Sequence, residues 1–125
     1  MKDVKVWLST LWVFMLLNFL YCDVMTAFDP TLPKNLSQAA LLAASFLMEI
    51  PIAMVVLSRV LDYRANRWAN MIAGAFMTLA QVGSLFVGTP PLFYLFFSAI
   101  EIACLLLIVW TAWRWTEPAP TVRAA

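Results

Sequence analysis

Four long apolar stretches, separated by short breaks of polar, charged and proline residues, make up almost the whole chain. Each stretch is close to the roughly 20 apolar residues that an α-helix needs to cross the hydrocarbon core of a bilayer. The pattern predicts an all-α polytopic membrane protein, an antiparallel up-down bundle of four transmembrane helices. The predicted helices cover residues 6–28, 37–61, 68–87 and 92–113.

The breaks between the stretches contain residues that end or start helices. In the first break, residues 29–35, Pro30 and Pro33 each disfavour the helical conformation in the residue before them. Either Asn35 or Ser37 can then cap the second helix. The other two breaks are residues 62–67 and 88–91.

The composition agrees with a membrane protein and leaves no room for a soluble domain. Hydrophobic residues make up 64% of the chain and charged residues 12%, against about a quarter charged in soluble proteins. We therefore expect one transmembrane domain over residues 1–115 and a disordered cytoplasmic tail over residues 116–125. The net charge of +1, without a basic patch, gives no reason to expect a nucleic-acid partner.

The basic residues predict the orientation in the membrane. With the N-terminus inside, only Lys34 among the eight Lys and Arg residues lies outside, which is a strong positive-inside asymmetry. Both termini are therefore expected in the cytoplasm, with the protein in the inner (plasma) membrane. The first helix is expected to be retained, because it lacks the small-residue cleavage site of a signal peptide.

Polar residues recur inside the apolar stretches at spacings of three, four or seven, so that each predicted helix carries one polar stripe. Lipid cannot satisfy polar groups, and the stripes are therefore expected to converge on the interior of the bundle. The stripes comprise Asn18, Cys22 and Asp23 on the first helix, Gln38, Ser45 and Glu49 on the second, Asn70, Gly74, Thr78 and Gln81 on the third, and Ser98, Glu101 and Cys104 on the fourth.

Glu49 and Glu101 stand out because both lie near the middle of a span, where a carboxylate costs at least about 2.5 kcal/mol. No Lys or Arg lies at that depth to pair with them, so each must be protonated, reach water or hydrogen-bond to another polar group. Pro51 is a candidate hinge, because a proline within a helix leaves the carbonyl four residues earlier, on Leu47, without its donor.

Seven residues are candidates for binding a ligand or ion. For Asn18, Thr78 and Gln81 the alternative is simple hydrogen bonding between helices, and for Asp23 it is a solvated carboxylate near the interface. The candidates are Glu49, Glu101, Asp23, Asn18, Thr78, Gln81 and Ser98.

Missing residue types argue against an enzyme. The chain has no histidine, which excludes histidine-ligated haem, the usual zinc sites and histidine-based acid–base catalysis. Its two cysteines form no C-x-x-C motif, and no glycine-rich phosphate loop is present. We expect no catalytic residue, no metal site and no cofactor.

Two stretches, KVWLSTLWVFMLLNFLYCDVMT and MEIPIAMVVLSRVLDYRANRWANM, together resemble a family of small bacterial four-helix membrane proteins of unassigned function. The resemblance implies four helices and supplies no activity. Small multidrug transporters are similar in size, but they carry their intramembrane glutamate on the first helix, where this chain has Asn18 and Asp23. Sterol-isomerase and sigma-type receptors are similar in plan, with acidic residues in an intramembrane cavity.

Two functional hypotheses follow. The first is permeation or transport of a cation or small solute, with proton coupling through Glu49 and Glu101, by a homo-oligomer in the lipid bilayer. The alternative is a membrane-embedded binding or accessory module for a lipid-like or small apolar ligand, or for a partner membrane protein. A solute pathway favours several copies, since four helices make a thin wall, whereas a ligand cavity fits within one copy.

Overall fold

The computed structural model describes residues 3–32 and 36–116, and these residues form four α-helices and no strand. The all-α prediction is therefore confirmed for this part of the chain. Apart from Thr116, the predicted tail lies outside the described residues. The helices are α1 Val4–Phe28, α2 Gln38–Val60, α3 Tyr63–Ser84 and α4 Leu92–Arg114.

Side-chain caps explain where the first three helices begin. Asp3 accepts a hydrogen bond from Val6 N over 3.3 Å, and Ser37 Oγ accepts one from Ala40 N over 3.0 Å. Each cap satisfies one of the free N–H groups in the first turn of its helix. Of the two predicted caps for α2, Ser37 therefore occupies the position.

The third helix begins at Tyr63 and ends at Ser84, rather than running over the predicted residues 68–87. The reason is Asp62, whose Oδ1 accepts a hydrogen bond from Ala65 N over 3.0 Å. The basic segment that was predicted as a break thus forms the first turns of α3.

Consecutive helices pack side by side, and α4 also packs against α1, which closes the bundle. The best-buried part of the core lies in the half of the bundle where α2 and α4 end and α3 begins, here called the termini end. Its least exposed apolar side chains, each at most 4% exposed, are Leu8, Trp12, Met15, Met54, Leu105, Ile108 and Ala112.

Hydrogen bonds from α3 hold the last turn of α4 at the termini end. Arg67 donates from Nε to the carbonyl of Ala112 over 3.0 Å and from Nη2 to that of Trp113 over 3.1 Å. The hydroxyl of Tyr63 donates to the carbonyl of Trp115 over 2.9 Å. The carbonyl of Ala112 also accepts the backbone N–H of Trp115 over 3.3 Å, so the side chains of α3 add to this cap and fasten α4 to α3.

Three of the described helices, α1, α2 and α4, are long and apolar enough to cross a membrane, as in a membrane protein. The packing of α2 is uneven along its length. Residues 38–46 are all exposed, whereas Pro51 is buried and the helix continues through it. The first half of α2 therefore stands on the outside of the bundle.

Candidate functional site

A cavity of about 190 Å³ lies between the four helices, at the opposite end of the bundle from the termini end. Every helix contributes to its wall. Apolar side chains such as Phe19, Met48 and Met77 form much of the surface. The polar residues that line it are Cys22, Asp23, Gln81, Ser84, Tyr94 and Glu101.

Glu101 is the most unusual group in this wall. Its side chain is 1% exposed, and its buried Oε2 has no hydrogen-bond partner among the described residues. Burying a polar atom without a partner is costly, which is why nearly all such atoms in folded proteins are paired. A residue of the cavity wall therefore carries an acceptor that lacks a donor among the described residues.

The charged groups around the cavity are both acidic. Asp23 lies near the end of α1 with an exposed side chain, and it lines the same cavity as Glu101. None of the described residues that line the cavity is Lys or Arg. The electrostatic character of the wall thus favours a cation or a hydrogen-bond donor over an anion.

A short hydrogen-bonded chain forms the side of the cavity between α3 and α4. Gln81 Nε2 donates to Ser98 Oγ over 2.7 Å, and Ser84 Oγ donates to the carbonyl of Gln81 over 2.7 Å. The hydroxyl oxygens of Ser84 and Tyr94 lie 2.5 Å apart. Both of these residues also line a larger, more open apolar cavity of about 530 Å³. The Ser84–Tyr94 pair is therefore part of the wall that the two cavities share.

Two candidate residues bond to their own helices instead of to another helix. Asn18 Nδ2 donates to the carbonyl of Phe14 over 2.9 Å, and Thr78 Oγ1 donates to that of Gly74 over 2.7 Å. Neither side chain lines the cavity that contains Glu101. The structure thus brings together Asp23, Gln81 and Glu101, with Ser98 behind Gln81.

Glu49 lies elsewhere. The prediction that every polar stripe faces the interior is wrong for α2, because Gln38, Ser45 and Glu49 are all exposed. The inward face of α2 is the one that carries Pro51, Met54 and Ser58, all buried. Since this face packs against the core, the stripe on the other side of the helix points away from the bundle.

Sequence reasoning placed Asn70 on an inward-facing polar stripe but missed the other members of the buried polar network that it joins near the termini end. Trp12 Nε1 donates to Asn70 Oδ1 over 2.7 Å, and Asn70 Nδ2 donates to Asn66 Oδ1 over 2.7 Å. Ser58 Oγ donates to Asn70 Oδ1 over 3.3 Å, and Asn66 Nδ2 donates to the carbonyl of Ser58 over 2.7 Å. The available signal was the spacing of four between Asn66 and Asn70, which extends the polar stripe of α3 into the predicted break.

Comparison with known proteins gives a family and no activity. No curated protein and no solved structure matches the chain. The resemblance to a family of small four-helix proteins of unassigned function is confirmed over nearly the full length. With residues 2–121 matched, the chain belongs to DUF6326, a family of unknown function.

Proposed function

We propose that the protein binds a small organic cation in the cavity beneath Asp23, with Glu101 as the group that receives the cationic head. The observation that carries the proposal is that Glu101 lines the cavity while its buried Oε2 has no donor among the described residues. A ligand that brings an N–H group supplies the missing donor. Hydrogen bonds to charged groups contribute about 1.5 to 3 kcal/mol, more than neutral ones.

The volume of the cavity limits the size of the ligand. An engineered cavity of about 150 Å³ in another protein holds one benzene molecule. A cavity of about 190 Å³ therefore suits one ring, or a short alkyl chain, that carries an ammonium group. Phe19, Met48 and Met77 provide apolar contacts for the body of such a ligand. Methionine adapts its shape readily, which allows related ligands to fit.

We also propose how the four helices are placed in the membrane. All four helices, including the less apolar α3, cross it in alternating directions, both termini lie in the cytoplasm, and the cavity faces the outer side of the plasma membrane. The distribution of Lys and Arg along the sequence supports this orientation. A reporter fused after Ala125 should be active only in its cytoplasmic form, and activity of an external reporter at that position would reverse the assignment.

Binding is best measured with three probes that share one ring and differ in charge: benzylamine, benzyl alcohol and benzoate. With the purified protein in lipid nanodiscs, calorimetry should show benzylamine binding most tightly and benzoate not at all. Glu101→Gln keeps the shape of the side chain, removes its charge and should weaken benzylamine binding at least about tenfold, or 1.4 kcal/mol. Equal binding of all three probes, or an unchanged affinity in Glu101→Gln, would refute the proposal.

Two further variants separate the cavity from the rest of the surface. Ala80 lines the cavity, so Ala80→Phe should fill it and abolish binding. Ala75 lies on the same helix with an exposed side chain, and Ala75→Phe is the matched control that should bind benzylamine normally. A loss of binding in both variants would mean that the added ring disturbs the helix rather than the cavity.

Permeation is the second candidate function, and it uses the same cavity. At the termini end the bundle is closed by Leu8, Trp12 and Leu105, none of which has any exposed surface. Transport therefore requires a change of conformation, for which Pro51 in α2 is the proposed hinge. Flux of benzylamine into proteoliposomes, lost in Glu101→Gln, would assign the cavity to transport. Binding without flux would assign it to a binding module.

A further inference from the structure

The outer face of α2 carries an acidic side chain where a membrane helix would normally be apolar. Glu49 is the middle residue of α2, Gln38–Val60, and its side chain is exposed. At about 1.5 Å per residue it lies roughly 16 Å from either end of the helix, and therefore near the centre of a hydrocarbon core about 30 Å thick. Lipid chains provide neither donors nor acceptors at that depth.

In a single copy Glu49 stays exposed, as far as the structure describes the chain. No hydrogen bond to its side chain occurs within the described residues, and it does not line the cavity that contains Glu101. Ser45, one turn earlier on the same face, donates its hydroxyl hydrogen to the carbonyl of Leu41 over 2.9 Å. Since none of the described residues pairs with this carboxyl group, we expect its hydrogen-bond partner to come from outside this copy.

The residues around Glu49 repeat with the period of a helix–helix seam. Five exposed positions of α2 follow one another at alternating spacings of three and four, which is the pattern that a left-handed pair of helices buries. They lie on a different face from Pro51, Met54 and Ser58, which pack inside the bundle. The five positions of this outer seam are Leu42, Ser45, Glu49, Ile52 and Val56.

We propose that the outer seam of α2 packs against the same seam of a second copy, in a two-fold symmetric dimer. Two copies with the same orientation in the membrane place their α2 helices parallel, so that Glu49 meets Glu49 of the partner at the same depth. A carboxylic acid both donates and accepts, and two of them satisfy each other across the axis. Symmetry supplies the matching group at the matching depth, which any other protein would have to provide separately.

Neighbouring residues in the seam fit this arrangement. Small residues at helix interfaces in membranes allow close approach, and Ser45 is one turn from Glu49. Leu42 and Val56 each lie seven residues from Glu49. In the dimer each therefore packs against the same residue of the second copy, one on either side of the Glu49 pair. A polar residue at the centre of such a seam fixes which residues face each other, because any shift leaves it without a partner.

Disulfide cross-linking in native membranes tests the seam directly. In a background with Cys22→Ala and Cys104→Ala, Ser45→Cys should give cross-linked dimers on oxidation. Ala44→Cys is the matched control, since Ala44 is the adjacent residue, is also exposed, and lies outside the seam. Cross-linking from both positions, or from neither, would overturn the proposal. To control for misfolding of the cysteine-free background, a second measurement uses the protein with both native cysteines. Single labelled complexes in bilayers should then bleach in two steps, one for each copy.

The role of Glu49 is tested by replacing it. Glu49→Gln retains donor and acceptor groups and should still form dimers. In Glu49→Leu the apolar side chain is stable in contact with lipid and the paired hydrogen bonds are lost, so dimerisation should weaken about five- to thirty-fold. Dimerisation of Glu49→Leu at the wild-type level would contradict the proposal, as would a monomeric wild-type protein. Glu101→Gln should leave dimerisation unchanged, which keeps this test separate from that of the cavity.

Discussion

Replacement of Asn70 with alanine tests whether the buried polar network holds the bundle together. Asn70 has no exposed surface, and its side chain connects α1, α2 and α3. Its Oδ1 accepts hydrogen bonds from Trp12 and Ser58, and its Nδ2 donates to Asn66. Asn70→Ala removes the carbonyl oxygen and the NH₂ group of the side-chain amide together. The groups that were bonded to them on Trp12, Ser58 and Asn66 then remain buried without these partners.

The expected loss of stability follows from counting the groups left without partners. Each costs about 1 to 3 kcal/mol when it is buried. The indole N–H of Trp12 and the Oδ1 of Asn66 each lose a bond of 2.7 Å, whereas Ser58 loses a longer bond of 3.3 Å and its hydroxyl can rotate. Two strongly affected groups give about 2 to 6 kcal/mol. Because hydrogen bonds in membrane proteins average about 0.6 kcal/mol, we expect the lower half of this range, about 2 to 4.

The free energy of unfolding can be measured by titration of the purified protein with sodium dodecyl sulfate, followed by circular dichroism. Asn18→Ala is the matched control. Among the described residues, the side chain of Asn18 bonds only to the carbonyl of Phe14 on its own helix, so its loss should change stability by less than about 0.5 kcal/mol. In a Trp12→Phe background, Asn70→Ala should cost about 1 kcal/mol less than in the wild type. Equal effects of Asn70→Ala and Asn18→Ala would refute this account of the network.

Two other predictions concern packing and access. A Cβ at Gly74 would lie 2.6 Å from Cγ2 of Val109, a stiff β-branched side chain, whereas one at Gly83 would meet nothing within 4 Å. Gly74→Ala should therefore destabilise the protein by about 1 to 3 kcal/mol in the same titration, and Gly83→Ala should stabilise it by up to about 1 kcal/mol; the reverse order would refute this packing. A membrane-impermeant maleimide should label Cys22, which lines the cavity, and should not label Cys104, which packs in the core. Faster labelling of Cys104 in mass spectra would contradict this placement.

The number of helices was predictable because each break in the sequence contains residues with a local effect on the backbone. The prolines at 30 and 33, and those at 90 and 91, lie in short polar segments and disfavour helix there, whereas Pro51 lies inside a long apolar stretch that continues as a helix. The start of α3 was predicted too late because a local signal was read with the wrong meaning. Asp62 was interpreted as part of a polar break, although an aspartate before a helix is also a favourable cap.

The site could be predicted only in part, because the spacing of polar residues shows which of them share a face and not where that face points. Glu49 and Glu101 look alike in the sequence, as carboxyl groups in the middle of long apolar stretches. The structure buries Glu101 and exposes Glu49. Their difference depends on neighbouring helices: α4 packs against both α1 and α3, whereas the first half of α2 stands outside.

The polar side chains of α3 have a consequence for how the chain enters the membrane during synthesis. Asn70 and Asn66 find partners on α1 and α2, which are made first, but Arg67 and Gln81 depend on α4. Before α4 leaves the ribosome, these two side chains have no protein partner and α3 is too polar to be stable in lipid alone. If α3 crosses the membrane as proposed, it should therefore insert together with α4 as a hairpin. A chain truncated before residue 92 should leave its third helix accessible to protease.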